Sequence, residues 1–192
     1  MTIHHNLIRS RAAEYNVEKV LDPDRNVVVS AERQDLIDGE QLNVVLDRVE
    51  ASLRRLQASD RAVHATKDII MELACNTLMH GTGKQPNSEL LVVSVYYGPI
   101  IAVWLFGQGR KSQIDRLKNI IKAIYNIAKP PKHRAALLKR RNRDLLRNST
   151  LPASKSHGGG AGMLTIAALS SDRLRLVLSE RDSESFLLLS TI

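Results

Sequence analysis

Glu72, Asn76 and His80 recur at four-residue steps in Glu72-Leu-Ala-Cys-Asn76-Thr-Leu-Met-His80. On a helix each such step turns slightly past a full turn, so the three side chains form one polar stripe. Asn supplies a hard, neutral oxygen to a metal that bridges nucleotide phosphates, without cancelling the ion's pull on them. A Glu one turn away can take the proton of an attacking hydroxyl. His80, or Lys84 just beyond it, can contact phosphate. These residue types are equally at home on a solvated helix face, so spacing alone leaves both readings open.

A second motif comes much later: His157-Gly158-Gly159-Gly160-Ala161-Gly162-Met163. Glycine admits positive φ and close backbone approach to a ligand. A helix opening there adds bare N–H groups and a positive dipole end, the ingredients of a phosphate loop. A flexible linker is the competing reading. The glycines run straight into the apolar stretch Met163-Leu-Thr-Ile-Ala-Ala-Leu169, which a linker does not do.

Other chemistry-bearing residues are less organised. His64 and His133 read as surface residues, and His4-His5 is too short and isolated for a metal site. No Cys/His cluster has zinc spacing. Cys75, the single cysteine, reads as a small packing residue, excludes an internal disulfide and suits a reducing compartment. Ser156-His157 lacks the glycine context of a hydrolase elbow.

The elements that must position these residues follow from periodicity. Residues 4–21 are polar and mixed, with a short helix ended by Asp22-Pro23, and 26–31 read as a strand. Leu42, Val45, Leu46, Val49, Leu53 and Leu56 make 41–57 an amphipathic helix. Ser59 or Asp60 caps the next helix, which carries the stripe to His80 and stops at Gly81-Thr-Gly83. Val63, Ile70, Ala74 and Thr77 form its apolar back, so the stripe is expected to face away from the buried side. Residues 90–97 and 100–106 form an antiparallel pair around Gly98-Pro99. Helices at 113–128 and 132–147 flank Lys129-Pro-Pro131, and 149–157 is a loop. The helix after the glycines spans 163–169, and 173–178 and 185–189 close the chain as strands. This order implies α+β, with a mixed or antiparallel sheet covered on one face by helices.

At 192 residues the chain suits one domain with a real core. The N-terminus has no apolar signal region, and the longest apolar stretch, 90–106, is broken by Ser94 and Gly98-Pro99, so neither a signal peptide nor a membrane span is expected. The net charge of +8 is local. Residues 110–147 hold thirteen Lys/Arg against Asp115 and Asp144, a balance of +11 that leaves the rest at −3. Such a face attracts a polyphosphate, nucleic acid, an anionic membrane surface or an acidic protein, or serves only solubility. Nucleic acid is disfavoured, because 4% aromatic content leaves little to stack on bases.

The two motifs together resemble the GHKL (Bergerat-fold) ATPase and kinase superfamily: Glu72-x-x-x-Asn76-x-x-x-His80 is similar to its N box, and Gly158-x-Gly160-x-Gly162-Met163 to its second glycine box. The likeness is closer to the SiaB-like protein kinases, over about residue 20 to the end. It implies a two-layer α/β sandwich with a mixed sheet, organised as one domain with residues 1–25 as an N-terminal extension and 110–157 as a basic helical, lid-like insertion. It implies ATP and Mg2+ as cofactors: Asn76 binds the metal, Glu72 orients or deprotonates the attacking group, His80 lies near the phosphates, and the backbone of His157, Gly158, Gly159, Gly160, Ala161, Gly162 and Met163 wraps the triphosphate. Gly107, Gln108 and Gly109 match the glycine turn after the second strand of the pair.

One departure stands out. Where the superfamily has Asp, accepting a hydrogen bond from the adenine amino group, this chain has Leu105. Leucine cannot accept that bond, which leaves adenine to Gln108 or to backbone groups, or leaves it weakly held or unbound. The resemblance implies a bacterial, cytoplasmic protein Ser/Thr kinase acting on a small STAS-like partner within partner switching, and homo-oligomers. The alternative is an anti-sigma-like module that binds a partner without phosphorylating it.

Overall fold

The protein is described here by a computed structural model covering residues 4–80, 88–96, 100–127, 133–149, 161–170, 174–182 and 184–192. In chain order the elements are α1 (His5–Glu14), β1 (Val27–Glu32), α2 (Arg33–Ile37), α3 (Gly39–Arg55), α4 (Asp60–His80), β2 (Leu90–Val95), β3 (Ile101–Gln108), α5 (Lys111–Ile127), α6 (His133–Ser149), α7 (Ala161–Leu169), β4 (Arg175–Leu178) and β5 (Ser185–Thr191). The α+β class and the helix-on-sheet layering are as expected.

Local chemistry sets the helix ends. The Asp38 side chain accepts from the backbone N–H groups of Glu40 and Gln41 and so caps α3. Glu40 in its first turn and Arg54 and Arg55 in its last complement the helix dipole. Past its end, Gln57 takes a left-handed conformation, φ 58°, that turns the chain toward α4. Ser59 Oγ accepts from the Ala62 N–H at the start of α4, the cap its sequence calls for.

The five strands lie in the order β1-β2-β3-β5-β4, and every neighbouring pair is antiparallel. The sheet is therefore not mixed. A single helix between neighbouring strands returns the chain parallel; here β1 and β2 are separated by two long helices, and β2–β3 and β4–β5 follow one another directly.

Nor is the sheet covered on one face only. One face carries Ala31, Leu91, Val93, Val103, Leu105 and Leu188 into the main core, with Leu53, Ile70, Leu73, Ile121 and Ile166 from the helical layer. The opposite face carries Leu90, Val92, Ala102, Trp104, Phe106 and Leu187, sealed by Ile8 and Ala12 of α1 together with Tyr15 and Leu21. The Tyr15 and Phe106 ring centroids are 5.7 Å apart. The reason is legible in β2 and β3, which are continuous apolar runs rather than alternating ones and are buried on both sides. Under this cover Trp104 Nε1 donates to Ser94 Oγ at 2.7 Å, and Ser94 Oγ donates to the Tyr96 hydroxyl at 3.1 Å.

Candidate functional site

The apolar back of α4 is buried as expected: Val63, Ile70, Ala74 and Thr77 are each under 4% exposed. Ion pairs between α3 and α4 hold the helix in place. Glu50 on α3 accepts from Lys67 Nζ at 2.6 Å and from Arg54 Nε at 2.9 Å, and Arg54 reaches Asp60 at 2.7 Å. Lys67 first, and Arg54 second, hold the Glu50 carboxyl at about 2.

Glu72 and Asn76 do not face open water. Both are half-buried, because the first turn of α7 rests on them. A β-carbon placed on Gly162 would stand 2.6 Å from Glu72 Oε2 and 3.6 Å from Asn76 Nδ2. Glycine at 162 is thus the condition for the two motifs, ninety residues apart in sequence, to meet. Met163, Leu164, Ile166, Ala167 and Ala168 are buried, so α7 is a core helix and not the tail of a linker. Its first turn contains no acidic residue, and it brings the positive end of its dipole to the Glu72 carboxylate.

Asn76 Nδ2 is buried and, among the described residues, has no hydrogen-bond partner. An amide in that position can present nitrogen or oxygen by rotating. A carboxylate, an amide with an unused end and a helix N-terminus without a side chain between them form a donor set that fits a phosphate-bound Mg2+. Among the described residues no group of three or more His, Cys, Asp or Glu gathers into a protein-only cage; Mg2+ characteristically uses one or two protein ligands with the rest from water and phosphate.

His80 ends α4, but its side chain lies outside the described residues, as do His157, Gly158, Gly159, Gly160, the Ala161 side chain and Lys84. The turn at Gly107-Gln108-Gly109 is described. Gly107 is required by packing: a β-carbon there would stand 2.7 Å from Phe186 Cζ. Gly109 is not so constrained, meeting only Ile114 and Gln113 at ordinary distances, while its N–H donates to the Glu184 carbonyl at 2.8 Å. Gln108 is half-buried at the end of β3. Leu105 pairs with Leu91 on one side and Leu188 on the other, and is 5% exposed in the main core.

One group at this end of the sheet was not singled out in the sequence. Glu89, just before β2, is 2% exposed. Its Oε2 accepts from Arg33 Nη1 at 3.0 Å and from Ser88 Oγ, and its Oε1 is buried without a donor among the described residues. A Ser-Glu pair in front of a strand reads as solvated edge; only the position of α2 over it, with Arg33 as first residue, reveals the burial.

The basic helices α5 and α6 both pack against α7, with Lys111, Lys122, Lys139 and Arg143 exposed. Among the described residues no helix is long and apolar enough to cross a membrane.

No protein-family model matches the chain, and no curated protein matches it in sequence. Among solved structures, a chain from the crystal structure of the SiaB–SiaC complex of Pseudomonas aeruginosa is similar, with a TM-score of 0.68 at 16% identity over 100% of both chains. At that identity the likeness shows a shared fold.

Proposed function

We propose that this chain is an ATP- and Mg2+-dependent protein serine/threonine kinase of SiaB-like type, acting on a small STAS-like partner protein in bacterial, cytoplasmic partner switching. The observation that carries the reading is the junction of Glu72, Asn76 and Gly162. A fold shared with a chain from the SiaB–SiaC complex supports a protein partner.

In this reading Asn76 would hold Mg2+, which when bound would neutralise charge on the nucleotide's phosphates. The backbone at the start of α7 and of the glycine run before it receives the triphosphate. Glu72 accepts the proton of the partner's hydroxyl as that oxygen bonds to the γ-phosphorus. The bond from the γ-phosphorus to the bridging oxygen breaks and ADP leaves. Burial of the apolar back of α4 keeps Glu72 and Asn76 at fixed spacing, so positioning supplies most of the catalysis.

A second reading, a partner-binding module without chemistry, is favoured by Leu105, whose burial between Leu91 and Leu188 leaves no acceptor for an adenine amino group at that position. Thermal shift separates the two. Mg-ATP at millimolar concentration is expected to raise the Tm of the wild type, and neither ATP without Mg2+ nor Mg-ATP with Asn76→Ala to do so. Equal shifts with and without Mg2+ and Asn76 would overturn the metal role; no shift at all would leave the binding module.

A further inference from the structure

The chain's excess of positive charge gathers, in the folded protein, on one face that pairs with almost nothing. Lys111, Lys118 and Lys122 of α5 are exposed, as are Lys139 and Arg143 of α6. Positions seven and eleven apart return to the same side of a helix, so the three α5 lysines form one stripe, and Lys139 and Arg143 stand one turn apart on the next helix. Asp115, the only acidic side chain described on either helix, is held by Lys118 at 3.3 Å. Lys111, Lys122, Lys139 and Arg143 have no acidic partner among the described residues.

Elsewhere the chain pairs its cations locally. Arg9 meets Asp24, Arg25 meets Asp22, Arg54 bridges Glu50 and Asp60, and Lys67 meets Glu50. The exposed cations without such a pair, Lys19, Arg55, Arg61 and Arg181, are scattered over other parts of the chain. On α5 and α6 the charges are concentrated, and at a cost. Lys118–Lys122 and Lys139–Arg143 are like charges four residues apart, a spacing that weakens the helix carrying it. Solubility is served as well by charges of both signs dispersed over a surface, so it does not account for this concentration.

We infer that the exposed face of α5 and α6 docks an acidic protein surface, whose carboxylates supply the partners these helices lack. The face lacks what other anionic occupants require. A helix lying on a membrane buries an apolar side, and the one large apolar side chain exposed among the described residues of α5 and α6 is Tyr125, whose hydroxyl donates to the Leu174 carbonyl. Single-stranded nucleic acid needs rings to stack on, and Tyr125 is the only aromatic residue in either helix. A folded acidic partner can space its carboxylates at the same one- and two-turn intervals as the lysine stripe. Both helices pack on α7, whose first turn rests on Glu72 and Asn76, so the partner is held on the helical layer that carries that junction. The inference rests on the reading above for the existence of a protein partner and adds its charge and the surface it meets; it does not depend on phosphoryl transfer.

Fluorescence anisotropy on the full chain tests this with three probes: a labelled helical Glu/Ala-repeat peptide, a DNA duplex of the same net charge, and phosphatidylserine vesicles. Wild type is expected to bind the peptide most tightly of the three, with an affinity that falls as salt rises. Preference for the duplex or the vesicles, or no peptide binding, overturns the inference. Combining Lys111→Gln, Lys122→Gln, Lys139→Gln and Arg143→Gln should weaken the peptide by at least about tenfold, since four exposed pairs, each weak alone, are lost together. Combining Lys19→Gln, Arg55→Gln, Arg61→Gln and Arg181→Gln removes the same charge elsewhere and should weaken it by less than about twofold; equal losses in the two variants would mean net charge without a site and overturn it. The α5–α6 variant should melt no lower than wild type, because it relieves like-charge repulsion; a lower Tm assigns the cations to the fold and overturns the inference. Its Mg-ATP thermal shift should match wild type, and loss of that shift assigns the cations to the nucleotide instead. Peptide binding without any Mg-ATP shift in wild type overturns the kinase reading alone and leaves the docking surface in place.

Discussion

Gly162 packs directly against Glu72: the point where a β-carbon of residue 162 would sit is 2.6 Å from Glu72 Oε2. The group in the way is the free end of a flexible side chain, not backbone, so adding a methyl moves the carboxylate more readily than it breaks the fold. Gly162→Ala should therefore change stability by less than about 1 kcal/mol, the clash being partly offset by alanine's better helix propensity. On the proposed kinase reading, in which Glu72 is the base, phosphoryl transfer should fall by about a hundredfold. Urea unfolding beside a kinase assay checks the split; parallel losses of stability and activity would assign Gly162 to packing alone.

The α3–α4 clamp carries a pH signature. Lys67 and Arg54 depress the Glu50 carboxyl from 4.5 to about 2. A group whose folded value is lowered stabilises the fold above its unfolded value and loses that contribution as pH falls through the folded one. Stability should thus decline between about pH 4.5 and 2, and Lys67→Met should reduce the part of that decline due to Glu50. Chemical denaturation at pH 6 and pH 3 measures it. The pair is exposed enough that salt should also weaken it.

The second face of the sheet depends on α1. Ile8 is fully buried against the β2–β3 surface. Ile8→Ala should cost about 2–5 kcal/mol, the range for deleting a buried aliphatic side chain. A cost below about 1 kcal/mol in urea titration would mean that α1 is an appendage to the sheet rather than part of its core.

Beneath α1, Ser94 links Trp104 to Tyr96. Ser94→Ala strands the indole N–H at a site 2% exposed, with an expected loss of about 1–3 kcal/mol. Burial is also the main reason that the Tyr96 phenol is pushed up to about 12. A raised folded value contributes stability below the unfolded value of 10 that is lost as pH rises through 12. Absorbance titration at alkaline pH should show Tyr96 ionising late, together with unfolding, alongside Tyr15 and Tyr125, whose phenols burial also pushes up.

The sequence by itself determined most of the elements, the short α2 excepted, and the two motifs. Leu42, Val45, Leu46, Val49 and Leu53 have a helix's spacing whatever surrounds them, Ser59 caps locally, and the apolar back of α4 is defined by residues within four positions of one another. These are short-range properties of the backbone and its nearest side chains. The run of glycines into Met163–Leu169 was likewise readable as the opening of a helix.

What only the tertiary structure decided involves partners distant along the chain. That the Glu72–Asn76 stripe is half-covered depends on α7, ninety residues on, and on the absence of one β-carbon there. Antiparallel pairing throughout depends on how many helices lie between neighbouring strands. The burial of Glu89 depends on Arg33, 56 residues earlier. The α1 cover illustrates the boundary between the two. Uninterrupted apolar runs in β2 and β3 already demanded burial on both sides, but a polar, mixed N-terminal segment gave no sign of supplying it. Periodicity reports which residues must leave water; only packing, a sum over contacts far apart in sequence, selects what covers them.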